Sequence, residues 1–112
     1  MYTFKHGLLQ EAALSTLTPV RREELYGRVA AVLEELYAGS REEHLEELAY
    51  YYARSRDLPK ALDYLERAGD RAASLNAKSQ AHELWNRARK VAEKLQDPAS
   101  ERRISARLDR LA

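Results

Sequence analysis

The sequence predicts an all-α fold of antiparallel helical hairpins, with about six helices. Three observations carry that expectation. Apolar residues recur at a spacing close to 3.6 almost throughout, as amphipathic helices require. A capping residue followed by proline restarts the chain at Thr18-Pro19 and again at Asp97-Pro98. No long stretch alternates with period two, the strand signature, except Tyr2-Thr3-Phe4-Lys5-His6, which reads as a remnant strand or a disordered start.

Residues 7–112 are read as a single helical domain behind that start. The first expected helix covers 7–16 and turns Leu8, Leu9, Ala12 and Ala13 inward. A second begins at Pro19 and runs to about Tyr37, with Leu25, Val29, Val32, Leu33 and Leu36 as its inner stripe. Gly39 is expected to stop it. Ser40 and Glu43 have the spacing of a capping box and open a third helix, striped by Leu45, Leu48, Ala49 and Tyr52. It ends between Ser55 and Leu58.

Pro59 marks the start of a fourth helix that reaches Leu75, and Asn76 is the expected break. A fifth covers about 78–95, with Ala81, Leu84, Trp85, Ala88, Val91, Ala92 and Leu95 inside. Trp85, the only tryptophan, should be a buried knob and not a recognition residue. The last helix follows Pro98, with Ile104, Leu108 and Leu111 on its stripe. Short gaps between helices favour antiparallel neighbours.

Composition narrows the function. The 112 residues suit one domain with one core. A net charge of +1, from 19 basic and 18 acidic residues, exerts no global pull on nucleic acid or anionic lipid. Without cysteine there is no disulfide, thiolate nucleophile or cysteine metal site, and the cytoplasm is the expected compartment. No apolar run approaches the ~20 residues that span a bilayer.

No glycine-rich phosphate loop and no serine–histidine–acid arrangement is recognisable, so no enzymatic activity and no cofactor are expected. His6, His44 and His82 stand 38 residues apart and do not share a helix at metal-ligand spacing.

One pattern occurs twice. Ala61, Leu65 and Ala68 match Ala81, Trp85 and Ala88 in spacing, small–large–small at offsets 0, 4 and 7. Upstream of the first copy, Leu45, Leu48, Ala49 and Tyr52 complete a unit over 42–75 that resembles a tetratricopeptide repeat. The second copy begins only 20 residues after the first, so the array is expected to be irregular.

A further resemblance lies in Tyr2-x-Phe4-x-His6-x-Leu8-Leu9-Gln10-Glu11-Ala12-Ala13. It continues through Arg21-Arg22-x2-Leu25-Tyr26-x-Arg28-Val29-Ala30-x2-Leu33-Glu34. The register resembles the helical-repeat region of bacterial AAA-type signal-transduction ATPases with numerous domains, as fused to class III adenylate cyclases or DNA-binding regulators. It departs from them at Tyr26, where a histidine is usual, and at Gly7, where alanine is usual. The resemblance implies a non-catalytic scaffold or interaction module within a larger regulatory protein. A free-standing peptide-binding repeat protein and an oligomerisation element are the alternatives.

The expected partner is a protein surface, either neighbouring domains of the same chain or a separate protein, with neither nucleic acid nor membrane. Tyr2, Phe4, Leu8 and Leu9 have no upstream partner, so self-association through that end is also expected. Within Tyr50-Tyr51-Tyr52, Tyr52 belongs to the inner stripe and Tyr50 takes a position that faces the groove in tetratricopeptide repeats. Glu46 lies one turn before Tyr50 and Arg54 one turn after. Glu46, Tyr50 and Arg54 are the candidate partner-binding residues. Asp63, Glu66 and Asp70 take similar groove positions in the next helix and read as a solvated acidic face, while Arg102, Arg103, Arg107 and Arg110 make the last helix basic but interleaved with acids.

Overall fold

The computed structural model describes residues 16–111. The expected strand over residues 1–6, the helix over 7–16 and the associating residues Tyr2, Phe4, Leu8 and Leu9 lie outside that range, save Thr16. Within it the chain forms five α-helices and no strand. They are α1 (Pro19–Leu36), α2 (Leu45–Ala53), α3 (Leu58–Ser74), α4 (Lys78–Lys94) and α5 (Pro98–Leu111). Each packs mainly against its neighbours in the chain, with α3 held between α2 and α4.

The helix starts follow local chemistry. Thr18 accepts the Arg21 N–H at 3.2 Å, and Asp97 accepts the Ser100 N–H at 3.2 Å. Asp57, not singled out from the sequence, caps α3 by accepting the Lys60 N–H at 3.2 Å. α3 and α4 end in paired reverse bonds. Ala77 N–H donates to the Ala72 carbonyl and Asp97 N–H to that of Ala92, with Asn76 and Gln96 at φ 61° and 55°. That is the left-handed cap glycine usually supplies.

Two boundaries differ from expectation. Ser40 and Glu43 do not form a capping box. The Glu43 N–H, which the serine hydroxyl would cap, donates instead to the Ser40 carbonyl at 3.1 Å. That bond winds Arg41–His44 into a 3-10 turn, and α2 starts only at Leu45. Nor does Gly39 supply the left-handed end of α1. That helix closes at Tyr37 with ordinary negative φ, and no glycine among the described residues has positive φ.

The inward stripe of α1 is rotated from the expected one. Leu33 is buried and Leu25 and Val29 pack half-buried against the core, but Val32 and Leu36 are 64% and 68% exposed, and Tyr26 and Ala30 are buried. The rotation places the Tyr26 ring 6.0 Å from Tyr51 and 6.5 Å from Tyr50.

The small–large–small pattern is a contact between adjacent helices. Trp85 lies across Gly69, and both it and its flanking Ala81 and Ala88 are buried. The 20-residue match holds in the structure: Ala61, Leu65, Ala68 and Ala72 of α3 and Ala81, Trp85, Ala88 and Ala92 of α4 are all buried, and the two helices end in the same cap. A second correspondence links Leu45, Leu48, Ala49 and Tyr52 of α2 to Ala81, Leu84, Trp85 and Ala88, 36 residues on, all buried or packed against the core.

A Cβ on Gly69 would stand 2.4 Å from Trp85 Cδ1 and 2.5 Å from its Nε1. Gly69→Ala is therefore expected to destabilise by about 1–3 kcal/mol through overpacking. Helix propensity alone predicts a gain of about 1 kcal/mol for the same change. A urea titration decides the sign, and a raised midpoint would show that the indole can shift aside.

Candidate functional site

Glu46, Tyr50 and Arg54 line one groove together with Leu65, Gln80, Glu83, Leu84 and Arg87. α2 forms one wall and α4 the other, with Leu65 of α3 contributing to the floor. The volume there is about 320 Å³. Tyr50 is half-buried, and the Arg54 guanidinium carbon sits 3.6 Å from its ring centroid. Arg54 Nη1 also donates to the Tyr50 carbonyl at 2.9 Å, which fixes the arginine along the groove wall. Gln80 donates to the Glu46 carboxylate and so links α2 to α4. Arg87 pairs with Glu83 at 2.8 Å.

The groove continues in both directions. At one end Glu46 and Gln80 also border a hollow of about 290 Å³ with Glu43, Leu45, Ala68 and Ala72. At the other, Arg54 borders a larger hollow of about 770 Å³ with Arg22, Glu23, Arg56 and Lys94. The first end is of mixed charge, with Arg71 beside Glu43 and Glu46, and the other is basic. Arg22, Arg56 and Lys94 come from three separate segments, so sequence spacing carried no signal that they meet.

The other tyrosines are structural. Tyr51 is fully buried and Tyr52 nearly so, and the Tyr52 ring stacks on Tyr64 at 5.5 Å. Both hydroxyls point to Glu34 of α1. Tyr52 donates to Oε1 at 2.7 Å, Tyr64 to Oε2 at 2.5 Å, and Lys60 Nζ lies 2.7 Å from Oε2. Burial alone would raise the Glu34 pKa, but the bonds from Lys60, Tyr64 and Tyr52 prevail and hold it at about 2. The tyrosine hydroxyls shift the other way, with Tyr64 pushed up to about 12 by burial and by Glu34. Sequence reading assigned Glu34 no structural role. The available signal was the buried Tyr52, whose hydroxyl needs a partner.

The acidic face of α3 and the basic face of α5 neutralise each other. Arg103 grips Glu66 through Nε at 2.7 Å and Nη2 at 2.8 Å. Arg107 reaches Glu66 and lies 3.1 Å from Asp70. Asp70 also accepts the Trp85 indole N–H at 3.1 Å. The hydrogen bonds from Arg103 head the causes that lower the Glu66 pKa, while burial raises that of Asp70. Glu66 and Asp70, read as part of a solvated face, instead bridge α3 to Arg103 and Arg107 of α5, while Asp63 stays outward, paired with Arg67 at 3.4 Å, and Arg102 and Arg110 stay exposed.

His44 stacks on Tyr37 with centroids 3.6 Å apart. Among the described residues, no group of three or more His, Asp or Glu is placed to hold a metal. No helix there is long and apolar enough to cross a membrane. Comparison with protein-family models, curated proteins and solved structures gives no match.

Proposed function

We propose that this chain is a non-catalytic protein-interaction module whose groove between α2 and α4 receives an extended segment of a partner. The helices then act as a short tetratricopeptide-like solenoid, with α2 and α4 as successive inner helices and α3 and α5 as outer ones. The observation that carries the reading is the placement of Glu46, Tyr50 and Arg54 on one wall, opposite Gln80, Leu84 and Arg87. The 36-residue return of the inward register supports the solenoid, since stacked hairpins repeat their packing. The resemblance of residues 2–37 to helical-repeat regions of signalling ATPases supports a scaffold role inside a larger regulatory protein.

The geometry suits a linear ligand. Leu65 and Leu84 offer apolar contact, and the half-buried Tyr50, held under Arg54, is a rigid aromatic anchor. The test is selection of linear peptides from a random display library on the full chain. Amide chemical-shift mapping of the recovered binders follows. Shifts should centre on Tyr50, Leu84 and Arg87, and Tyr50→Ala should weaken binding about tenfold or more. No recovered binder, or binders that map outside the α2–α4 groove, would overturn the proposal.

A further inference from the structure

The groove is electrically polar along its length, and that polarity selects among peptides. At the wide end, Arg22, Arg54, Arg56 and Lys94 surround the hollow, and Glu23 is the one carboxylate among its lining residues. Glu23 engages only Arg56, at 4.0 Å. Lys94 is exposed with no acidic partner among the described residues. Arg54 spends one guanidinium nitrogen on the Tyr50 carbonyl and none on a carboxylate. Arg22 also lines the hollow, and its Nε is buried without an acceptor among the described residues.

We propose that the wide end binds an acidic stretch of the partner, with side-chain carboxylates on Arg22, Arg54 and Lys94 and an apolar residue following onto Leu84. The proposal rests on the peptide-binding reading above and adds the chemistry of the ligand. Charge complementarity sets the direction. The acidic stretch lies by Arg54 and Lys94, and the chain then runs toward Glu46, past Glu83 already paired with Arg87, where no excess of basic groups remains to hold further carboxylates. The same gradient argues against nucleic acid, whose evenly spaced phosphates would meet those carboxylates within a few nucleotides. α4 has 17 residues; its length of about 25 Å is matched by about eight residues of extended peptide.

The experiment uses the full chain and two dye-labelled, C-terminally amidated peptides read by fluorescence anisotropy. They share one central leucine and differ in having glutamate or lysine at the same positions on one side of it. The glutamate peptide should bind and the lysine peptide should not. The pair Arg22→Gln with Lys94→Gln should weaken the glutamate peptide about five- to tenfold, as for two partly exposed ion pairs. Thermal melts confirm that this variant is folded, and Arg56→Gln alone provides a second folded variant with a smaller loss. Equal binding of both peptides leaves groove recognition standing and overturns the charge assignment. Unchanged affinity in the folded double variant does the same. Binding of neither peptide, with display binders absent as well, removes the peptide-binding reading itself. Tighter binding of an oligothymidylate than of the glutamate peptide would mark the site as a phosphate site and overturn the proposal.

Discussion

Replacing Trp85 with alanine is expected to lower the unfolding free energy by about 3–5 kcal/mol, the range for emptying a large aromatic site. The residue is 5% exposed, rests on Gly69 and lies between Ala81 and Ala88. Small neighbours on both sides cannot collapse into the space left behind. The indole N–H is also bonded to Asp70 and, at 3.3 Å, to the Glu66 carbonyl. Alanine therefore removes packing and the indole's polar tie between α4 and α3 together. For a chain of this size the melting temperature should fall by about 4 °C per kcal/mol, enough to unfold the protein near room temperature if it is of ordinary stability. Leucine, present at the corresponding position of α3 as Leu65, should recover part of the loss but not the indole bond. Circular-dichroism melts of both variants and acrylamide quenching of the native tryptophan are the measurements. Ready quenching, with an unchanged melt for Trp85→Ala, would refute the packing described here.

The second large effect is expected at Glu34. Its side chain is 15% exposed and receives two tyrosine hydroxyls and the Lys60 ammonium. Glu34→Ala strands the hydroxyls of Tyr52 and Tyr64, each a loss of about 1–3 kcal/mol. The same cluster makes stability depend on acid. The folded-state pKa of about 2 lies below the ordinary value of 4.5, so the native state favours the ionised form. The resulting stabilisation is complete above pH about 4.5 and is lost as pH falls toward 2. A shift of this size corresponds to a contribution on the order of 3 kcal/mol. Glu66, lowered chiefly by Arg103, titrates in the same direction and adds to the acid limb. The informative quantity is therefore the difference between the parent and Glu34→Gln. Urea midpoints measured from pH 7 to 2.5 should converge as the pH falls. Parallel curves over that range would show that Glu34 is not held ionised by its partners.

The sequence by itself determined the helices from Pro19 onward and most of their ends. Caps, prolines and amphipathic period act within a few residues, and such signals survive without tertiary context. They placed Thr18, Asp97 and Asn76 correctly, and they put Trp85 inside. They failed at Ser40, where a backbone bond outcompeted the side-chain cap. Only the tertiary structure decided how far the inward stripe of α1 was rotated, exposing Val32 and Leu36 and burying Tyr26 and Ala30, because periodicity defines faces without naming the neighbour that will cover them. Glu46, Tyr50 and Arg54 were legible because successive turns of one helix share a face. The opposite wall, the Glu34 cluster and the basic end were not. Their members come from different helices, and packing alone brings Glu34 to Tyr52 and Tyr64, and Arg54 to Arg22 and Lys94.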